Sequence, residues 1–130
     1  MLRGYLAVMF VGSFGCAARS GLSDLLAQRY GEAFPVGTLT ANVLGCLLIG
    51  LFAGITRPDG GLLIHPVARQ AAMIGFFGGF TTFSSFSLQT MALFESGQLV
   101  YATLNVALSL ALCLIATWVG QVVALRIVPD

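Results

Sequence analysis

Three long stretches of this chain carry no charged side chain at all: Val36–Ile55, 70–94 and 98–125. Each meets the length of about 20 apolar residues that a helix needs to cross the hydrocarbon core of a bilayer. In lipid no water can satisfy stray backbone groups, so a chain of this kind folds as membrane-spanning helices. Composition agrees. Apolar residues are 58% of the 130-residue chain and charged residues only 8%, against about a quarter charged in ordinary soluble domains. Disorder needs low hydrophobicity and is excluded. The net charge is +1, with six arginines and no lysine, which leaves no basic patch for nucleic acid.

A fourth apolar run starts at Leu2. Met1-Leu2-Arg3 is a thin positive start for a secretory signal, and Ser13 fits poorly a lipoprotein cleavage site before Cys16. The run reads as a retained first span, with Arg19 near its far end able to snorkel, and with an amphipathic continuation through Asp24 and Arg29. Residues 30–35, 57–66 (with Pro58, Asp59, Gly60 and Gly61) and Ser96-Gly97 have turn chemistry. The expected fold is all-α: one transmembrane domain over 1–130, with spans near 2–28, 36–55, 67–95 and 98–125 and almost nothing outside the membrane. Cys16, Cys46 and Cys113 lie in apolar runs and read as small packing residues.

With four spans, Arg3, Arg57, Arg69 and Arg126 fall on one side, and Arg19 and Arg29 on the other. This positive-inside bias is weak. Charge alone leaves open a single orientation or insertion both ways, and two opposed copies would pair about a two-fold axis in the membrane plane. Gly50-x-x-x-Gly54, Gly75-x-x-x-Gly79 and Ser13-x-x-x-Ala17 each set two small residues on one helix face, the pattern of close helix approach.

No Asp, Glu or His falls in the middle of a span. Asp24 and Glu95 are at span ends, and His65 lies in a loop beside Pro66. A proton-coupled exporter needs an ionisable group at membrane depth, which disfavours that class. No metal-ligand cluster, nucleophile–base pair or phosphate loop is present, so the chain does not read as an enzyme. A structural subunit of a larger complex remains compatible with the small-residue faces.

The polar groups within the spans are neutral. Asn42 near the middle of the second span must face protein, water or an ion, as interhelical glue or as a two-proton donor to an anion. Asn105, Ser109, Cys113, Thr117 and Gln121 recur every fourth residue, one stripe along the last span. That stripe can line a path or bond neighbouring helices. In the third span, Gly78-Gly79 followed by Thr81-Thr82 weakens the helix. A mid-membrane break frees carbonyls for a cation and a helix N-terminus for an anion. Phe83 and Phe86 share a face, and the electropositive edge of a phenyl ring can meet an anion.

Gly78-Gly79-Phe80-Thr81-Thr82-Phe83-Ser84-Ser85-Phe86-Ser87 resembles the signature of the Fluc (CrcB) fluoride channels. Gly37-Thr38-Leu39-x-x-Asn42-x-x-Gly45 resembles that family's second-span motif, and Gly12-x-x-Gly15-x-x-x-Arg19 its first-span motif. The resemblance covers essentially the whole chain. It implies a passive, fluoride-selective channel in the inner membrane of a bacterium, which lets cytoplasmic fluoride leave and so protects against its toxicity. It also implies an antiparallel, dual-topology homodimer with two pores. Carried over by position, Asn42, Phe83, Phe86 and Ser109 would line the fluoride path, with Ser84 and Thr82 close to it and Arg19 in the vestibule. The carbonyls of Gly78 and Thr81 would hold a structural Na⁺ at the dimer centre. Ser20, Gln89 and Asn105 depart from the family pattern, where an aromatic, an acid and a tyrosine are usual.

Overall fold

The computed structural model describes residues 2–59 and 61–128; Met1 and Gly60, named above, lie outside them. Among the described residues four segments are long and apolar enough to cross a membrane: Leu2–Tyr30, Val36–Ile55, Pro66–Glu95 and Leu99–Ile127. The first, second and last are continuous helices, α1 (Leu2–Tyr30), α2 (Val36–Ile55) and α5 (Leu99–Ile127). The third is two helices, α3 (66–80) and α4 (Phe83–Glu95), with Thr81 and Thr82 extended between them. The expected break is therefore present, one residue beyond the paired glycines.

Turn chemistry places the corners. Gly97 takes φ +76° between α4 and α5, a backbone region that glycine enters without steric cost. His65, in the exposed loop where the sequence places it, also caps α3: its Nδ1 accepts from the Val67 N–H at 3.2 Å, with Pro66 in the first helical position. Within α3, residues Ala71–Phe77 form a π-helical turn. Such turns add a residue to the helix and re-aim the side chains that follow.

Small residues set the packing. On α1, a Cβ added to Gly15 would strike the Phe76 carbonyl, and one added to Gly79 would lie 2.7 Å from the Gly12 carbonyl. Gly75 stands equally close to Val8, so the Gly75/Gly79 pair packs on α1. The Gly50/Gly54 pair packs on α5. A Cβ on Gly50 would strike the Thr117 carbonyl, one on Gly120 the Leu47 carbonyl, and one on Gly54 would meet Ala124 at 2.5 Å. These contacts fix α2 and α5 as parallel neighbours in a definite register. Ser13 and Ala17, the third small pair, are exposed.

Gly50→Ala and Gly120→Ala should each lower stability by about 1–3 kcal/mol, because the added methyl meets backbone that cannot rotate away. Gly21, with nothing within 4 Å of its added Cβ, is the control. Thermal unfolding of the detergent-purified protein should show an early transition for the first two and a near-native one for Gly21→Ala.

Candidate functional site

The Asn42 amide grips the break. Its Oδ1 accepts from the Thr82 N–H at 2.7 Å, and its Nδ2 donates to the Thr82 carbonyl at 3.1 Å. A backbone N–H can only donate, so this pairing also fixes which end of the amide is which. One Nδ2 hydrogen is left over. Asn42 is thus helix glue of a particular kind: it pairs with the N–H and carbonyl of one residue as a neighbouring strand would, and holds the extended residues in place.

Gly45, one turn on along α2, makes room for the same segment. A Cβ there would strike the Thr81 methyl and come within 3.1 Å of the Phe80 ring. The Thr82 side chain then starts α4, its Oγ1 accepting from the Ser85 N–H at 3.1 Å. In an unbroken helix the N–H groups of Thr82 and Ser85 would bond the carbonyls of Gly78 and Thr81. Both are diverted, so those two carbonyls leave the helical ladder. They are the two that the sequence resemblance singles out for a cation.

Arg19 also reaches the break. α1 continues well past it, and the Arg19 Nε donates to the Gly79 carbonyl at 3.2 Å. A cation at the C-terminal end of α3 is favourable for that helix's dipole.

Beside the break lies an open groove of about 270 Å³, lined by Asn42, Thr82, Phe83, Phe86 and Ser109, with Cys46 and Cys113 further along. The structure therefore brings five of the expected path residues together from three helices. Ser84 is not among them: it is exposed, with its hydroxyl 3.2 Å from that of Thr82. The Phe83 and Phe86 rings have centroids 5.3 Å apart at 51°. Phe86 is buried, whereas Phe83 is 74% exposed in the single chain. The Ser109 Oγ is buried with no hydrogen-bond partner among the described residues. A buried hydroxyl without a partner is costly, and this one belongs to a residue of the groove.

The stripe on α5 divides. Asn105, 2% exposed, donates through Nδ2 to the Thr90 Oγ1 at 2.8 Å, and Thr90 in turn bonds the Phe86 carbonyl at 2.7 Å. It locks α5 to α4 behind Phe86. Thr117 bonds back to the Cys113 carbonyl, and Gln121 is exposed. Only Ser109 and Cys113 of the five face the groove. Sequence reasoning passed over Cys46 as a lining residue, although it lies one turn beyond Asn42 on the same helix face.

The chain matches the family model described as CrcB-like protein, Camphor Resistance (CrcB), over residues 6–121. It is 49% identical over 120 residues to a protein of Opitutus terrae named fluoride-specific ion channel FluC, covering 92% of this chain and 91% of that one. It is 48% identical over 123 residues to a protein of the same name from Rhodospirillum rubrum, covering 95% of each. A third of that name, from Methylocella silvestris, is 46% identical over 123 residues, covering 95% of this chain and 94% of that one.

Proposed function

The chain belongs to the CrcB family, and on that footing we propose that it is a passive fluoride channel: a transporter and not an enzyme, a multi-pass protein of the bacterial inner membrane that lets cytoplasmic fluoride out down its gradient. The observation that carries the reading is the groove at the break, where a buried unpartnered hydroxyl, a spare amide hydrogen and two phenyl rings face one space.

Fluoride is small and strongly hydrated, so its path must replace water with donors. Ser109 supplies a hydroxyl that no other described residue uses. Asn42 supplies the Nδ2 hydrogen not spent on Thr82. The α4 N-terminus points the positive end of its dipole at the same region. The ring edges of Phe83 and Phe86 add weak positive potential without a charge. Neutral donors suit conduction, because a fixed Lys or Arg in the path would hold the anion too long. Arg19 stands outside the groove in this reading, raising anion concentration near its mouth while it caps α3. Thr82 acts by holding the break open, and Ser84 by bonding Thr82 from the exposed side.

The chain assembles, on this account, as an antiparallel homodimer in lipid. Two features support it: the weak charge bias, and the exposure of Gly78, Phe83 and most of α1 in the single chain. A second copy would cover Phe83 and complete the path. The carbonyls of Gly78 and Thr81, freed from the ladder, are hard oxygen donors of the kind a Na⁺ ion takes, two from each copy. That ion would supply a fixed positive charge at the dimer centre.

Expression in a bacterium stripped of its own fluoride exporter should restore growth at fluoride concentrations that stop the parent. Inserted protein with no gain in tolerance would contradict the reading. Ser109→Ala separates the roles of the hydroxyl. Loss of a hydrogen bond to an anion is worth about 1.5–3 kcal/mol, so flux should fall about ten- to a hundredfold. The melting temperature should hold or rise, since the hydroxyl has no protein partner to lose. Unchanged flux would remove Ser109 from the path.

A further inference from the structure

The register of α2 against α5 sets thiol opposite thiol. Gly50 faces Thr117 and Gly54 faces Gln121 and Ala124, on parallel helices. One turn back from Gly50 is Cys46, and one turn back from Thr117 is Cys113. Both line the groove together with Asn42 and Ser109. The two thiols are close enough to interact electrostatically. Neither is fully buried, and both are reduced.

We propose that Cys46 and Cys113 form a two-thiolate site for a soft divalent metal ion, and that an ion bound there plugs the path. The inference rests on the groove being the fluoride route. Soft d¹⁰ ions prefer thiolates, and the softest of them accept two sulfurs in a line. Charge selects the divalent ion. Each thiol gives up a proton as its metal–sulfur bond forms, so the bis-thiolate complex is neutral. A monovalent ion would leave a net negative charge in low dielectric, which is costly. With mercuric chloride as probe, the balanced step is one HgCl₂ and two thiols giving one S–Hg–S bridge, two chloride ions and two protons. No oxidant is needed.

The sulfur pair stands one turn from the Ser109 hydroxyl and the Asn42 amide. A bridged ion there would tie the side chains of α2 and α5 together across the space the anion uses. No charged group of the groove opposes binding, since its other lining residues are neutral.

The test uses the full chain with Cys16→Ala, because Cys16 is exposed and would react by itself. Mercuric chloride is titrated into the detergent-purified protein. Free thiols and the near-ultraviolet mercury–sulfur absorbance are followed, and fluoride efflux is measured on reconstituted samples of the same protein. The expected result is loss of both thiols per mercuric ion bound, with flux reduced about tenfold or more and restored by excess dithiol. In that background, Cys46→Ala or Cys113→Ala should abolish tight binding and the block, each judged against its own untreated rate. One mercuric ion per thiol, a block that survives in either single-cysteine variant, or a bridged pair with undiminished flux would each overturn the proposal. If the untreated protein carries no fluoride, the channel reading fails, while the thiol count still decides the metal site.

Discussion

Asn42→Asp should all but abolish fluoride flux at neutral pH while leaving the helices folded. The carboxylate keeps the acceptor that the Thr82 N–H uses at 2.7 Å, so half of the grip on the break survives. The donor to the Thr82 carbonyl is lost, and so is the spare hydrogen facing the groove. A negative charge replaces both. At about 4 Å and an effective dielectric near 20, repulsion between that charge and a passing anion costs about 4 kcal/mol, or about a thousandfold in rate. Protonation of the introduced carboxyl removes the charge and returns a donor. The defect should therefore deepen as pH rises and ease as it falls. Efflux from liposomes at several pH values, beside size-exclusion profiles, checks this. A flux close to wild type across that range would leave Asn42 as structural glue alone.

Phe83→Ile and Phe86→Ile should each cut flux about tenfold or more, a barrier change of about 1.4 kcal/mol, with a folded protein in both cases. Isoleucine retains much of the volume and all of the apolar character. It loses the ring edge and its positive potential. The two positions should differ in stability. Phe86 is buried and lies in front of the Asn105–Thr90 lock, so its replacement leaves space in the core. Phe83 is 74% exposed in the single chain, so its replacement opens no space within the chain and should lower the melting temperature less than that of Phe86. Flux and thermal unfolding on the same preparations separate the effects. Normal flux in both variants would remove the ring edges from the mechanism.

What the sequence showed and what it hid follow from the range of the interactions involved. The four spans and the broken third helix rest on local properties: apolar runs longer than the bilayer, and Gly78-Gly79 before Thr81-Thr82. Both were legible. The glycine pairs announced close approach, but only the structure says that Gly50 meets Thr117 and that Gly79 meets α1. Partner identity is a property of two helices together, and neither sequence segment contains it.

The break shows the same limit. Weak helix propensity at the threonines gave its position. That the Asn42 amide pairs with the Thr82 backbone, and that this frees the Gly78 carbonyl, depends on α2 lying alongside, whereas the Thr81 carbonyl is freed by the local Thr82 cap on Ser85. The π-helical turn at Ala71–Phe77 had no local signal at all. The even stripe on α5 could serve as a lining or as interhelical bonding. Helix rotation against its neighbours divided it, turning Asn105 into a lock on Thr90, leaving Ser109 in the groove and exposing Gln121. Arg19 was placed late in its span, able to snorkel; that its Nε donates to the Gly79 carbonyl depends on α3 packing against α1.

The most direct test of the channel reading is fluoride efflux from proteoliposomes, followed with a fluoride electrode and run beside chloride. The fluoride gradient is imposed at equal pH, and valinomycin carries the balancing K⁺. The account predicts rapid fluoride release, while liposomes loaded with chloride keep their anion. Intact, inserted protein that releases no fluoride, or that releases chloride as readily, would contradict it.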